Sequence, residues 1–153
     1  MTPDETLALT RSLMDQHGLS HWTAKLDGGK SRFGLCSYAR QTISVSRHLA
    51  AINPESDTRD TILHEIAHAL VGPDHNHGPV WKAKAREIGA IPSATHIAEA
   101  APPKYLGHCP TPGCDTVTKA YRRHRTPKAC FQCCSTYANG KYDARFQIVW
   151  TAV

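Results

Sequence analysis

The chain has 153 residues, 41% hydrophobic and 20% charged, a balance that excludes a disordered polymer and leaves room for one ordinary core plus a small satellite. No run approaches the ~20 apolar residues needed to span a bilayer, and the first twenty residues lack the basic start and apolar stretch of an export signal. We therefore expect a cytoplasmic protein, monomeric, with no membrane partner. The net charge of +5 is unevenly spread: residues 1–100 carry ten Lys/Arg against eleven Asp/Glu, and residues 101–153 carry eight against two. That asymmetry points to a polyanion partner for the C-terminal part.

Thr2, Pro3 and Glu5 have the spacing of a capping box with proline in the first turn, so a helix starts there and stops near Gly18. "HWTAKLD", "RFGLCSYA" and "QTISVSR" alternate as three short strands. Asn53-Pro54 with Ser56 and Asp57 opens a long helix that Gly72-Pro73 closes, and a third helix follows Gly78-Pro79. The Ala- and Pro-rich stretch over 92–104 reads as a linker between a domain over 1–91 and a basic module over 105–153. In that module "KYLGHC", "TVTKAYRR" and "RFQIVW" are strand candidates. The expected fold class is α+β: an N-terminal helix, a short antiparallel sheet, two further helices, then a four-cysteine ribbon.

Four of the ten histidines fall within "HEIAHALVGPDHNH". On a helix, residues four apart share a face, so His64 and His68 can address one ion from a rigid backbone. Two neutral imidazoles at this spacing suit zinc. Glu65 sits beside the first ligand rather than on the metal, where it can take a proton from activated water. Ile62, Ile66, Ala69 and Leu70 supply an apolar face to hold the helix. Three residues compete as third ligand. Asp74 lies six positions after His68 with its glycine one position late, and His75 misses that offset by one. His77 stands at the mouth of the third helix, where Trp81 can pack the helix down; we favour His77 and hold Asp74 and His75 in reserve. His17, His21, His48, His96 and His124 have no partner spacing and read as ordinary residues.

Six cysteines without an export signal favour metal ligation over disulfides. Cys109 and Cys114, then Cys130 and Cys133, make two knuckles of the kind that a structural tetrahedral zinc ties together. His108 is an alternative to Cys109, and Cys134 to Cys133. Cys36 and the remaining cysteine of that pair read as buried thiols. A tail of about fifty residues with few large apolar side chains needs such a metal to fold. Two zinc ions per chain are expected, one catalytic and one structural. Between the knuckles lie Lys119, Tyr121, Arg122, Arg123, Arg125 and Lys128, a set suited to gripping phosphates around one stacking ring. Four thiolates around one dication carry about −2, so part of this charge also balances the metal.

"RFGLCSYARQTISVSRHL", "DTILHEIAHAL", "HGPVW" and the paired cysteines occur in this order. Together they resemble the SprT-like metalloprotease family, which includes the Spartan proteases, over about Trp22 to Tyr137. The resemblance implies a zincin fold with His64, His68 and His77 as zinc ligands, the "HGP" block selecting His77, and Glu65 as catalytic acid/base. It also implies a zinc ribbon held by Cys109, Cys114, Cys130 and Cys133, and a non-ligating cysteine in "GLC". Spartan-type members cleave proteins trapped covalently on DNA and are switched on by DNA, so the implied partners are single-stranded or junction DNA and protein substrates. This chain differs in its compact loop between His68 and His77 and in lacking a long tail with partner-binding motifs. Two rival readings remain at this stage: a DNA-binding ribbon protein whose zincin half is not catalytic, and a processing peptidase indifferent to DNA.

Overall fold

The computed structural model describes residues 1–94 and 100–153. The expectation for His96 and the middle of the stretch read as a linker lie outside those residues. The chain forms two compact units, Met1–Ala101 and Pro102–Val153.

In the first unit, α1 spans Pro3–Gln16 and is capped as its sequence directs: the Thr2 hydroxyl accepts from the Glu5 N–H, and the Glu5 carboxylate accepts from the Thr2 N–H at 2.8 Å. Strands β1 (Thr23–Asp27), β2 (Gly34–Ser37) and β3 (Thr42–Ser46) form one sheet in the order β1-β3-β2. The sheet is mixed where the sequence led us to expect an antiparallel one, because β3 runs parallel to β1 and antiparallel to β2. The connection over 28–33 carries the chain to the far side of β3, which leaves β1 and β2 as the two edges. Asp27 braces this turn, accepting from the Gly29 N–H, the Ser44 hydroxyl and the Arg32 guanidinium.

A short helix α2, Arg47–Ile52, was not anticipated; Ser46 caps it by accepting from the Leu49 N–H at 3.1 Å. The long helix α3, Glu55–Val71, runs through the middle of the unit, packed by α1 and α4 (Pro79–Glu87) and by strands β2 and β3. Ile62 and Ile66 are fully buried and Ala69 is partly so, but Leu70 is 38% exposed and falls off the apolar face. Met14, Ile43, Val45, Ile62, Ile66 and Trp81 make the centre of the core. None of the described helices is long and apolar enough to cross a membrane.

In the second unit, β4 (Tyr105–His108) is the middle strand, with β5 (Val117–Ala120) and β6 (Val149–Ala152) antiparallel on either side. Arg145 and Phe146 of the third strand candidate instead fall in a 3-10 turn over Ala144–Phe146, capped by Asp143, and the strand starts only at Val149. Helix α5, Phe131–Tyr137, also escaped the sequence reading. It is short and cysteine-rich, and its place is set by the buried side chains of Cys133 and Cys134. Gly107 in β4 is obligatory: a Cβ there would stand 2.5 Å from Ile148 and 2.8 Å from the Trp150 ring. The Trp150 ring therefore comes up against the bare backbone of the middle strand.

Candidate functional site

His64 and His68 project from α3, one turn apart. His77 reaches them from the other side of a tight reversal: α3 ends at Gly72, a 3-10 turn follows over Pro73–His75, and Asn76 takes φ +41° before α4 begins. Non-glycine residues seldom hold such a backbone, and it turns His77 toward the helix that carries its partners. The three Nε2 atoms stand 3.3, 3.0 and 3.0 Å apart. Asp74 and His75 are exposed and outside this cluster. A tetrahedral zinc with Zn–N bonds of about 2.0–2.1 Å separates its nitrogen ligands by about 3.3 Å. Three imidazole nitrogens converging without a carboxylate among them match that edge length, so the residues present fit the ion.

Burial and the neighbouring His77 push the His68 pKa down to about 4, which keeps its ring neutral at working pH, as a ligand must be. Trp81, fully buried on α4, forms the wall behind all three rings, with ring centroids 4.6 Å from His64, 5.2 Å from His68 and 4.7 Å from His77. Its indole N–H has no hydrogen-bond partner among the described residues. Contact with the imidazoles, rather than a polar bond, fixes this side chain.

Glu65 is 9% exposed, and burial raises its pKa to about 7 against the opposing pull of the Cys36 N–H and the Arg32 charge. It shares with His64 a cleft of about 220 Å³ whose walls include Arg32, Phe33, Gly34 and Leu49. Tyr38 braces the end of α3, its hydroxyl donating toward the carbonyls of His68 and Gly72, each at 3.2 Å. Burial, with Cys36 and Glu65 nearby, pushes that phenol up to about 12, so it remains a donor. Cys36 is half-buried rather than buried, and burial beside Glu65 pushes its thiol up to about 12. It is a neutral thiol, neither nucleophile nor ligand.

In the second unit, Cys109 and Cys114 lie in the turn between β4 and β5, while Cys130 and Cys133 lie at the start of α5. One strand, β5, and an irregular basic loop separate the knuckles. The sulfurs of Cys109 and Cys133 are 3.6 Å apart and those of Cys114 and Cys130 3.8 Å apart. Zn–S bonds of about 2.3 Å give a tetrahedral edge of about 3.8 Å, and all four sulfurs fall within 4.8 Å of one another. Cys134 is buried outside the cluster, and His108 does not join it.

The basic residues divide. Arg122, Arg123, Arg125 and Lys128 line a cavity of about 440 Å³, whereas Lys119, exposed on β5, and Tyr121, half-buried, are not in the lining. The rings in that cavity are Tyr105, His124 and Trp150, with His124 and Trp150 4.9 Å apart. The sequence reading missed all three as site residues; the terminal Trp of "RFQIVW", on an alternating strand opposite a glycine, was the available signal.

Comparison with curated proteins finds no match. Among solved structures, the chain is similar to the metallopeptidase zymogen jannalysin of Methanocaldococcus jannaschii. The two share 16% identity and a TM-score of 0.47 over 54% of this chain and 79% of that one. The profile of the SprT-like family matches residues 8–101, a span that holds the three converging histidines, Glu65 and the strand and helix beside them. The chain therefore belongs to the SprT-like family.

Proposed function

We propose that the protein is a zinc-dependent endopeptidase in which His64, His68 and His77 hold the ion and Glu65 moves the protons. Its substrates on this reading are proteins bound or crosslinked to DNA. The observation that carries the proposal is the three-imidazole cluster, whose spacing fits a zinc tetrahedron, with a buried carboxylate on the same helix. Three protein ligands leave one tetrahedral position for the reaction.

A zinc ion there supplies a Lewis acid that polarises a peptide carbonyl and makes water a stronger acid. The remaining steps belong to the chain. Glu65 accepts a proton from the attacking water on its carboxylate and returns it to the departing amine nitrogen. Burial raises the proton affinity of this carboxylate, which suits a group that must take a proton from water and hold it for the leaving amine. Burial of Glu65 also keeps bulk water from competing for that proton.

A DNA partner is supported by the cavity of the second unit, where four cations share the lining with exposed His124 and half-buried Tyr105 and Trp150. Cations take the phosphates, and rings offer stacking surfaces that tolerate any base. Because both units belong to one chain, proteins on the bound strand meet the peptidase at high effective concentration.

The test is cleavage of a DNA-binding protein by the zinc-loaded chain, with and without single-stranded DNA. Cleavage should be stimulated by DNA, should fall at least a hundredfold in Glu65→Gln, and should accompany two zinc ions per chain. Undiminished cleavage by Glu65→Gln would refute the assigned role. Equal cleavage with Arg122, Arg123 and Arg125 neutralised would show a peptidase that ignores DNA. Tight DNA binding without any cleavage would leave a binding module.

A further inference from the structure

Strand β2 lies against α3 at the level of Glu65, and Gly34 meets that side chain directly. At Gly34 an added Cβ would stand 2.7 Å from Glu65 Oε1, 2.8 Å from Glu65 Cγ and 2.8 Å from the Thr61 methyl. These are distances that real carbon contacts do not reach. Two residues on, the Cys36 backbone N–H favours the charged form of the same carboxylate. Thr61 is 1% exposed and Glu65 9%, so both are held among packed neighbours apart from the cleft they line. Thr61 is also β-branched and stiff within its helix. The bare backbone of β2 at Gly34 thus lies directly against this carboxylate.

We propose that Gly34 is a positioning element for Glu65, its bare backbone leaving the carboxylate where the proton transfers need it; this rests on the acid/base role argued above. Glycine at 34 is required by the closeness of the carboxylate, not by backbone conformation, since Gly34 opens strand β2 in register with Val45 and has no positive φ. A methyl group at 34 displaces the carboxylate by a substantial fraction of an ångström. General acid–base catalysis depends on hydrogen-bond reach of the proton, and small misplacements cost orders of magnitude. Gly34 touches no reacting atom and acts only through Glu65.

The experiment uses the full zinc-loaded chain and the DNA-bound protein substrate. Gly34→Ala should lower kcat at least tenfold with KM within twofold, while zinc content stays at the wild-type value. In the amide NMR spectrum the Cys36 N–H should move in Gly34→Ala in the same sense as in Glu65→Gln. The double variant Gly34→Ala/Glu65→Asp separates positioning from general damage. Aspartate is one methylene shorter and vacates the space that the methyl enters, so the double variant should be no slower than Glu65→Asp alone. That comparison stands even if Gly34→Ala by itself does not fold. A Gly34→Ala enzyme with unchanged kcat overturns the proposal, as does a double variant whose losses multiply. If Glu65→Gln were instead fully active, the acid/base reading would fail, a result distinguishable from failure of the positioning role.

Discussion

Asp27 shows how one residue holds the turn that separates β1 from β2. Burial pushes its carboxyl pKa up, but the Gly29 N–H, the Ser44 hydroxyl and the Arg32 guanidinium together outweigh burial and hold it below the usual carboxylate range. A value depressed on folding stabilises the fold above the unfolded pKa of about 3.9. The contribution is lost as pH falls through the folded value. Asp27→Asn should therefore lower stability by about 1 kcal/mol at neutral pH, and the difference from wild type should vanish in strong acid. Urea midpoints at several pH values check this, and an equal cost throughout would show that the charge on Asp27 is irrelevant. At the same scale, His64 and His68 were legible in the sequence because their relation is local, one turn of one helix. His77 required the Gly-Pro helix start and a family resemblance, since its approach depends on the unusual backbone of Asn76. The contact of Gly34 with Glu65 was not legible, because it joins positions thirty-one residues apart and leaves no periodic trace.

At the scale of elements, capped and amphipathic helices were read closely: α1, α3 and α4 begin and end near their Thr-Pro, Asn-Pro and Gly-Pro signals. The missed elements are short. Helix α2 has six residues and α5 seven, too few for a 3.6-residue pattern to declare itself. Strand order was equally out of reach, because pairing β3 with β1 in parallel is decided by where the 28–33 connection crosses. In the second unit the buried cluster consists of Cys130, Cys133, Cys134, Phe146 and Ile148, so three of its five members are cysteines. Such a core is too small to stand without a metal. A strong chelator should abolish amide-exchange protection in β4, β5 and β6 while α1 and α3, packed in the larger apolar core, retain theirs. Persistence of protection in β4 after complete zinc removal would show that the four sulfurs do not hold the unit together.

For the whole molecule, the division of charge follows the division into units, with the excess cations in Pro102–Val153. If this unit grips single-stranded DNA, binding should weaken steeply with salt. Neutralising Arg122, Arg123 and Arg125 should lower the slope of log affinity against log salt by about 2 for single strands. Titrations at several salt concentrations measure it; an unchanged slope would place the phosphates elsewhere. The same substitutions should leave the zinc content of the first unit untouched.

The three tryptophans of the chain occupy three chemically different surroundings. Trp22 meets Tyr38 edge-on in the apolar core, Trp81 backs the imidazole cluster, and Trp150 lies beside His124 among the arginines. Each indole emits according to what surrounds it. A quenching ion at the histidines darkens Trp81 first, and a base laid over the basic cavity darkens Trp150. With single-tryptophan versions, folding, metal uptake and strand capture become separate light signals from an otherwise unlabelled protein.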